Sequence, residues 1–315
     1  MMLPSALRRF SRYTLFVLAW NLLTVVWGAY VRASGSGAGC GRHWPLCNGE
    51  VIPNSPQIQT IIEFVHRLLS GGALILIAVM VIWGFRIHSR GSPVRKALIA
   101  SAFFIITEAL LGASLVLFGW VTTNVSVGRA AAMALHLLNT FLLIGSLALT
   151  AWWAAGRKDI TLRHKGALPW LFGIGLIGVI FVGMAGAITA LGDTIFPAAS
   201  LSAGFAADFA AGAHFLVRLR VYHPIIAILV GIFLIYLAYH IIGMVKDPEP
   251  NRLAIILICL VLLQWGMGLL NLLLLVPIWT QLTHLFIADM VWISLILLGA
   301  STFAKHPQAA SINPA

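Results

Sequence analysis

The sequence predicts an all-α integral membrane protein with eight transmembrane helices, arranged as two pseudo-symmetric four-helix bundles. Three observations lead to this prediction: the composition, the apolar segments and an internal repeat. Of the 315 residues, 60% are hydrophobic and only 9% are charged, whereas soluble domains carry about 25% charged residues. This composition excludes a soluble globular enzyme. It also excludes a nucleic-acid-binding role based on the net charge of +11.

Eight segments are long and apolar enough to cross a bilayer, which takes roughly 17–25 residues per helix. They cover residues 13–31, 60–86, 97–121, 130–155, 167–191, 221–245, 253–276 and 278–303. Pro277 marks the turn between the last two segments. Arg8, Arg9 and Arg12 precede the first segment, as in a signal peptide, but the apolar run that follows is too long for one. We therefore expect an uncleaved first helix.

The basic residues predict which side of the membrane each loop faces. The N-terminal segment, the loops 86–96, 156–166 and 246–252, and the C-terminal tail hold fourteen of the twenty Lys and Arg residues. By the positive-inside rule, these segments and both termini are cytoplasmic. The two longest loops, residues 32–59 and 192–220, then face outward, and most of the positive charge serves to orient the chain.

The two halves of the sequence resemble each other. Four pairs of positions correspond: Gly28 with Gly186, His66 with His223, Glu108 with Gln264, and His136 with His284. The first three pairs are 156–158 residues apart and the fourth is 148 apart. Each half has four spans, so both halves have the same orientation in the membrane. We expect an N-terminal bundle over residues 1–156 and a C-terminal bundle over residues 157–315.

Four histidines lie one or two turns inside the even-numbered spans, near their outer ends: His66, His136, His223 and His284. Ionisable residues within a membrane are costly and usually functional, and facing histidines in a helix bundle can hold a cofactor. Two pairs, one per bundle, predict two haem sites towards the outer face, with these histidines as axial ligands of the iron. The alternative is four hydrogen-bonded imidazoles in the core.

Two further features concern these predicted sites. Pro224 disfavours helical geometry at His223, which leaves His214 as an alternative ligand in the second half.

Arg67 and Arg218 lie close to histidines in the sequence, and a guanidinium group can hold a haem propionate by two hydrogen bonds. The alternative for these arginines is that they extend to the membrane interface.

A run of motifs begins at the end of the first span. Residues 28–53 read GAYVRASGSGAGCGRHWPLCNGEVIP, and residues 63–67 read EFVHR. The order Gly-x-x-Val-Arg-x-Ser-Gly-Ser-Gly, then Cys, Trp-Pro-x-Cys and Glu-x-x-His-Arg, resembles that of the haem A synthase family. Residues 213–224 are similar to one version of the family's second-half histidine motif. The resemblance extends over the whole chain, with eight helices, two halves and four histidines.

The resemblance implies an oxidoreductase that converts a methyl group of haem O to the formyl group of haem A for terminal oxidases. It implies that His66 and His136 hold haem O as substrate and haem A as product. It also implies that His223 and His284 hold a permanent haem b. The family further implies a role in cytochrome oxidase assembly and a multi-pass location in the cell membrane of a prokaryote.

The outer loop and the start of the second span supply two more expectations. Glu63 lies three residues before His66 and so on the same helix face. By resemblance it is the catalytic carboxylate beside the reacting porphyrin edge; the alternative is a structural group bonded to Arg32 or to the backbone.

Cys40 and Cys47 face an oxidising compartment in the predicted topology, where a disulfide is expected. This disulfide is either a loop staple or, as the family suggests, a participant in redox chemistry.

The expected partners are haem O, membrane lipid, haem O synthase and an electron-transfer or thiol-reducing protein, with no nucleic acid; a homo-oligomer is compatible with the sequence. Two other functions remain open. One is a dihaem b-type, quinol-linked cytochrome that leaves its haems unmodified, and the other is a transporter. Glu63 and the cysteine loop occur in one half only. This asymmetry favours the enzyme, because an electron carrier would not need it.

Overall fold

The computed structural model describes residues 4–162, 166–245 and 247–305. Within these ranges the chain forms α-helices and no β-strand. The helices are α1 (Ser5–Ala33), α2 (Ile58–Ile87), α3 (Pro93–Leu117), α4 (Val127–Ala154), α5 (Leu168–Ile195), α6 (Leu201–Asp208), α7 (Phe215–Arg218), α8 (Tyr222–Met244), α9 (Pro248–Leu273) and α10 (Ile278–Thr302). A 3-10 helix, Leu219–Val221, joins α7 to α8. The prediction of an all-α membrane protein is confirmed, since eight helical stretches are long and apolar enough to cross a membrane.

Several spans begin at residues that favour a helix N-terminus. Ser92, Ser126 and Asp247 each accept a hydrogen bond from a backbone N–H in the first turn of α3, α4 and α9 respectively. These caps satisfy donors that have no partner within the helix. Pro93 and Pro248 follow two of the caps, at a position where proline costs no hydrogen bond. The sequence therefore fixes these boundaries locally.

Two helices, α4 and α10, lie at the centre of the molecule. In their most apolar stretches 61% of the residues are buried, against 17–28% in the other six spans. Helix α4 contacts α1, α3, α5 and α10, and α10 contacts α1, α4, α5 and α9. The large apolar side chains of the peripheral spans are instead exposed on the outside. An apolar perimeter of this kind suits a lipid environment.

Each half closes on itself, and the halves meet at the central helices. Helices α1 to α4 pack consecutively and α1 contacts α4; likewise α5, α8, α9 and α10 pack consecutively and α5 contacts α10. Across the junction, the rings of Phe141 and Trp292 stack with centroids 5.2 Å apart, and Trp292 Nε1 donates a hydrogen bond to the Phe141 carbonyl. The pseudo-symmetric relation of the halves and the cytoplasmic location of the termini stay predictions. Residues 1–3 and 306–315 lie outside the described ranges.

Two long connections lie at the same end of the spans. Residues 34–57 join α1 to α2 and contain the Cys40–Cys47 disulfide, with its Cα atoms 4.4 Å apart. Residues 196–221 join α5 to α8 and contain α6 and α7. We call this end the disulfide end. The predicted disulfide is confirmed, and both of its cysteines are buried.

Candidate functional site

In the first half, the histidines of α2 and α4 lie against glycines of neighbouring helices. A Cβ atom added to Gly28 of α1 would come within 2.9 Å of His66 Cε1, so that only glycine accepts this ring position without a shift. A Cβ atom added to Gly112 of α3 would lie 3.9 Å from His136 Cε1, which is an ordinary contact distance. Both Nδ1 atoms are buried and make no hydrogen bond of good geometry among the described residues. His136 Nδ1 lies 3.4 Å from Glu108 Oε1.

The second half repeats this arrangement. A Cβ at Gly186 of α5 would lie 2.9 Å from His223 Cε1, and one at Gly268 of α9 would lie 3.2 Å from His284 Cε1. The two imidazole centroids are 6.3 Å apart and the ring planes are nearly perpendicular. Two imidazoles that bind one metal ion through bonds of about 2 Å have centroids about 6 Å apart. The observed separation of the two centroids therefore fits a bis-imidazole haem.

His223, and not His214, is the histidine that faces His284. His214 begins α7, where its Nδ1 accepts a hydrogen bond from the Leu216 N–H over 3.3 Å. Its ring lies beside the ring of Phe215, with centroids 4.6 Å apart. His223 is the second residue of α8, so the proline that follows it lies in the first turn, where proline is tolerated. The structure therefore gives His214 a capping role.

Glu63 and Arg67 fasten α2 to the disulfide loop. Glu63 is buried, and its Oε2 accepts a hydrogen bond from the Cys40 backbone N–H over 2.8 Å. Its Oε1 accepts from Arg67 Nη2 over 2.5 Å. Arg67 Nη1 in turn donates to the carbonyls of His43 and Leu46, each over 2.6 Å. The disulfide loop, the carboxylate and the arginine thus form one connected unit, one turn from His66.

Two other arginines named in the sequence analysis, Arg218 and Arg32, bond different groups. The Arg218 guanidinium donates to the Ala211 carbonyl in an exposed part of the connection between α5 and α8. Arg32 does not bond Glu63. It reaches from α1 to the Ala190 carbonyl of α5 and to Gln281 of α10, which links the two halves. Sequence reasoning missed this contact, since nothing in the spacing of these residues signals it.

Glu108 of α3 and Gln264 of α9 occupy equivalent places beside the second histidine of each half. Glu108 Oε1 lies 3.4 Å from His136 Nδ1. Gln264 Nε2 lies 3.3 Å from His284 Nε2. The sequence repeat paired these two positions, and the structure places both within hydrogen-bonding range of a histidine ring. A carboxylate therefore stands in one half where an amide stands in the other.

The fold and the site together define a class: a multi-pass helical membrane protein in which each half carries a pair of half-buried histidines. A family model described as "Cytochrome oxidase assembly protein" matches residues 11–296. The chain belongs to this family. Membership agrees with the resemblance of the loop motifs to this family. The match extends beyond the loop to almost all of the eight spans.

Individual relatives carry two different names. Over 297 residues the chain is 46% identical to a protein of Thermus thermophilus named protohaem IX farnesyltransferase, which covers 94% of this chain and 49% of the relative. It is also 46% identical over 98 residues to a haem A synthase of Shouchella clausii, 31% of this chain and 33% of the relative. With a haem A synthase of Bacillus mycoides the identity is 39% over 114 residues, 36% and 37% of the two chains. The chain thus spans about half the length of its Thermus relative.

Proposed function

We propose that this protein is a haem A synthase, an oxidoreductase that converts a methyl group of haem O to the formyl group of haem A. One observation carries the proposal: both halves hold a histidine pair, but among the described residues only the first half has a disulfide loop whose backbone N–H binds a buried carboxylate, one turn from a histidine. Chemistry at one site and electron transfer at the other would require this asymmetry. The family membership supports the same role.

In this proposal the two histidine pairs divide the work. His66 and His136 bind the substrate haem O and orient its edge towards the disulfide end. His223 and His284 hold a permanent haem b, which supplies one-electron transfer when bound. Arg67, and Arg218 after a rotation of its exposed side chain, donate hydrogen bonds to haem propionates.

Glu63 is the proposed catalytic carboxylate. It is held by the Cys40 N–H and by Arg67, so its position is set before substrate binds. A carboxylate fixed in this way can accept a proton from the reacting carbon or stabilise positive charge that develops there. The main role of the Cys40–Cys47 disulfide in this proposal is to position Glu63, because its loop supplies the backbone N–H that binds the carboxylate.

The name of the Thermus relative suggests which protein supplies the substrate. The Thermus relative is about twice as long as the matched region, and by its name it transfers a farnesyl group to protohaem IX. We propose that a haem-farnesylating enzyme, a haem O synthase, supplies the substrate and works beside this protein in the cell membrane. An electron-transfer partner would accept the electrons removed from the substrate, whereas a thiol-reducing partner would donate electrons to the Cys40–Cys47 disulfide.

The same names favour a second candidate, farnesyl transfer by this chain itself. The two activities are separated by incubating the purified, membrane-reconstituted protein either with haem O or with protohaem IX and farnesyl diphosphate. Haem A formed from haem O, identified by mass and by its pyridine haemochrome spectrum, supports the synthase. A farnesylated product from protohaem IX without haem A supports the transferase. Haem b in both sites and no conversion would indicate a dihaem cytochrome.

The role of Glu63 has its own test. We expect Glu63→Gln to retain bound haem but to lose haem A formation, because the amide cannot accept a proton or carry the negative charge. Glu50→Gln is the matched control, since Glu50 is an exposed carboxylate of the same loop that bonds only Asn54 among the contacts described. Undiminished haem A formation by Glu63→Gln would remove this residue from the reaction.

A further inference from the structure

The two halves differ in the group that stands beside their second histidine. Glu108 and Gln264 are 156 residues apart in the repeat. The first lies 3.4 Å from His136 Nδ1 and the second lies 3.3 Å from His284 Nε2. The Glu108 carboxylate can accept a hydrogen bond from an imidazole N–H, whereas the Gln264 atom beside His284 is an amide nitrogen, which can only donate one. The difference is therefore chemical as well as positional.

The carboxylate is held in place by side chains that the second half lacks. Asn139 Nδ2 donates to Glu108 Oε2 over 2.6 Å, and the Thr140 hydroxyl donates to Oε1 over 2.5 Å. Asn139 is itself oriented by the hydroxyl of Thr107, which donates to its Oδ1 over 2.6 Å. The corresponding residues, three and four positions after the histidine of α10, are Ile287 and Ala288. Neither can donate a hydrogen bond from its side chain.

We propose that Glu108 is a positioning residue for His136, with a reduction-potential role that Gln264 does not share. It accepts the Nδ1 proton of His136, which leaves Nε2 as the nitrogen that binds iron. The proposal rests on the proposed haem sites and deepens them. Carboxylates that bond a ligating histidine fix its tautomer and ring orientation and make it a stronger ligand.

A stronger axial ligand stabilises the oxidised iron and so lowers the reduction potential of the site. For the same haem, the first-half site therefore has a lower potential than the second-half site. With haem bound at both sites, this order would favour electron movement from the first half to the second. Electrons removed from a substrate in the first half could then leave through the second half.

The experiment uses full-length protein loaded with haem and the reciprocal variants Glu108→Gln and Gln264→Glu. A redox titration follows the two haem signals, which are assigned by their loss in His136→Ala and His284→Ala. We expect Glu108→Gln to raise the midpoint potential of the first-half signal and to leave the second unchanged. We expect Gln264→Glu to lower the second-half potential. Potentials equal to those of the unaltered protein in both variants would overturn the proposal.

A second readout needs no haem. In haem-free protein with ¹⁵N-labelled histidine, the nitrogen chemical shifts report which ring nitrogen of His136 carries the proton. We expect the Nδ1–H form in the unaltered protein and a mixture of tautomers in Glu108→Gln. If that variant does not fold, Thr140→Val removes one donor to Glu108 and should give a smaller shift in the same direction. The Nε2–H form in the unaltered protein would contradict the proposal.

These outcomes separate the positioning role from the enzymatic one. Shifted potentials in a protein that forms no haem A would keep the role of Glu108 and reject the synthase. Haem A formation with unshifted potentials and an unaltered tautomer would do the reverse. A protein that binds no haem at all, and that shows no tautomer preference at His136, would reject both.

Discussion

Single glycines bring the proposed ligands against neighbouring helices. Gly28 and Gly186 each leave room for an imidazole where a Cβ atom would collide with it. Gly72 gives similar room to the indole of Trp20. Helical glycine costs stability relative to alanine, so its presence at these contacts reflects close packing. The imidazole rings of His66 and His223 can occupy these positions because the facing residues are glycines, which have no side chain.

The first prediction concerns Gly28. We expect Gly28→Ala to displace the His66 ring, to remove the haem of the first half and to lower the unfolding temperature, because the added Cβ would lie 2.9 Å from Cε1. Gly71→Ala is the control, since nothing lies within 4 Å of a Cβ at that position in α2. The control should be stabilised by about 0.5–1 kcal/mol. Haem content and thermal unfolding of the purified variants provide the measurement, and equal haem content in both would contradict the expectation.

The second prediction concerns Arg67. Its guanidinium holds Glu63 and two carbonyls of the disulfide loop. We expect Arg67→Gln to loosen this loop and to make the buried disulfide several times faster to reduce with a soluble thiol, as measured by labelling of the freed cysteines. Arg157→Gln is the control, because it removes a contact with the Trp152 ring and an exposed ion pair with Glu249, both far from the disulfide loop in the sequence; such an ion pair contributes about 0–1 kcal/mol. Equal reduction rates in both variants would show that Arg67 does not hold the loop.

At the scale of helices, the sixth span is discontinuous. Its apolar stretch runs from Phe215 to Met244, but it is built from α7, a 3-10 turn and α8. Arg220, in the 3-10 turn, bonds the carbonyl of Phe196 and forms an ion pair with Asp193 of α5. These contacts hold the break in place and bring His223 to the start of a helix that faces His284.

The break predicts opposite results for two histidines. We expect His214→Asn to keep both haem spectra, because asparagine is a good N-cap and replaces the hydrogen bond to the Leu216 N–H. We expect His223→Ala to lose the haem of the second half. Optical spectra of the purified variants, with unfolding temperatures measured in parallel, make the comparison. A normal bis-imidazole spectrum in His223→Ala would refute the assignment of this ligand.

At the scale of the whole molecule, a half-buried and a fully buried aspartate differ in their partners. Asp193 forms an ion pair with Arg220 at 3.2 Å. Asp289, on the central helix α10, is fully buried, and neither of its oxygens has a hydrogen-bond partner among the described residues. A buried polar group without a partner costs about 1–3 kcal/mol. The centre of the molecule thus carries a group that lowers its stability.

Because the two aspartates differ in their partners, we expect their substitution by alanine to change the unfolding temperature in opposite directions. We expect Asp289→Ala to raise the unfolding temperature, because it removes the cost of burying an unpartnered carboxylate. We expect Asp193→Ala to lower it by an amount equivalent to about 1–3 kcal/mol, because Arg220 is left without its carboxylate. Thermal unfolding in detergent measures both. A lower unfolding temperature for Asp289→Ala would mean that this carboxylate has a stabilising partner.

The eight spans, the disulfide and the family resemblance can be predicted from the amino-acid sequence alone. Apolar length and motif order are local properties, so they can be read without knowing which helices meet. The repeat also paired Glu108 with Gln264, although it did not show what either residue contacts. The bonds of Glu63 to Arg67 and Cys40, and the link that Arg32 makes between the halves, become visible only when the helices are packed. The same is true of His214, which caps a helix, and of His223, which faces His284. These contacts depend on which helix faces pack together, and packing of apolar surfaces is non-directional, so no local pattern encodes it.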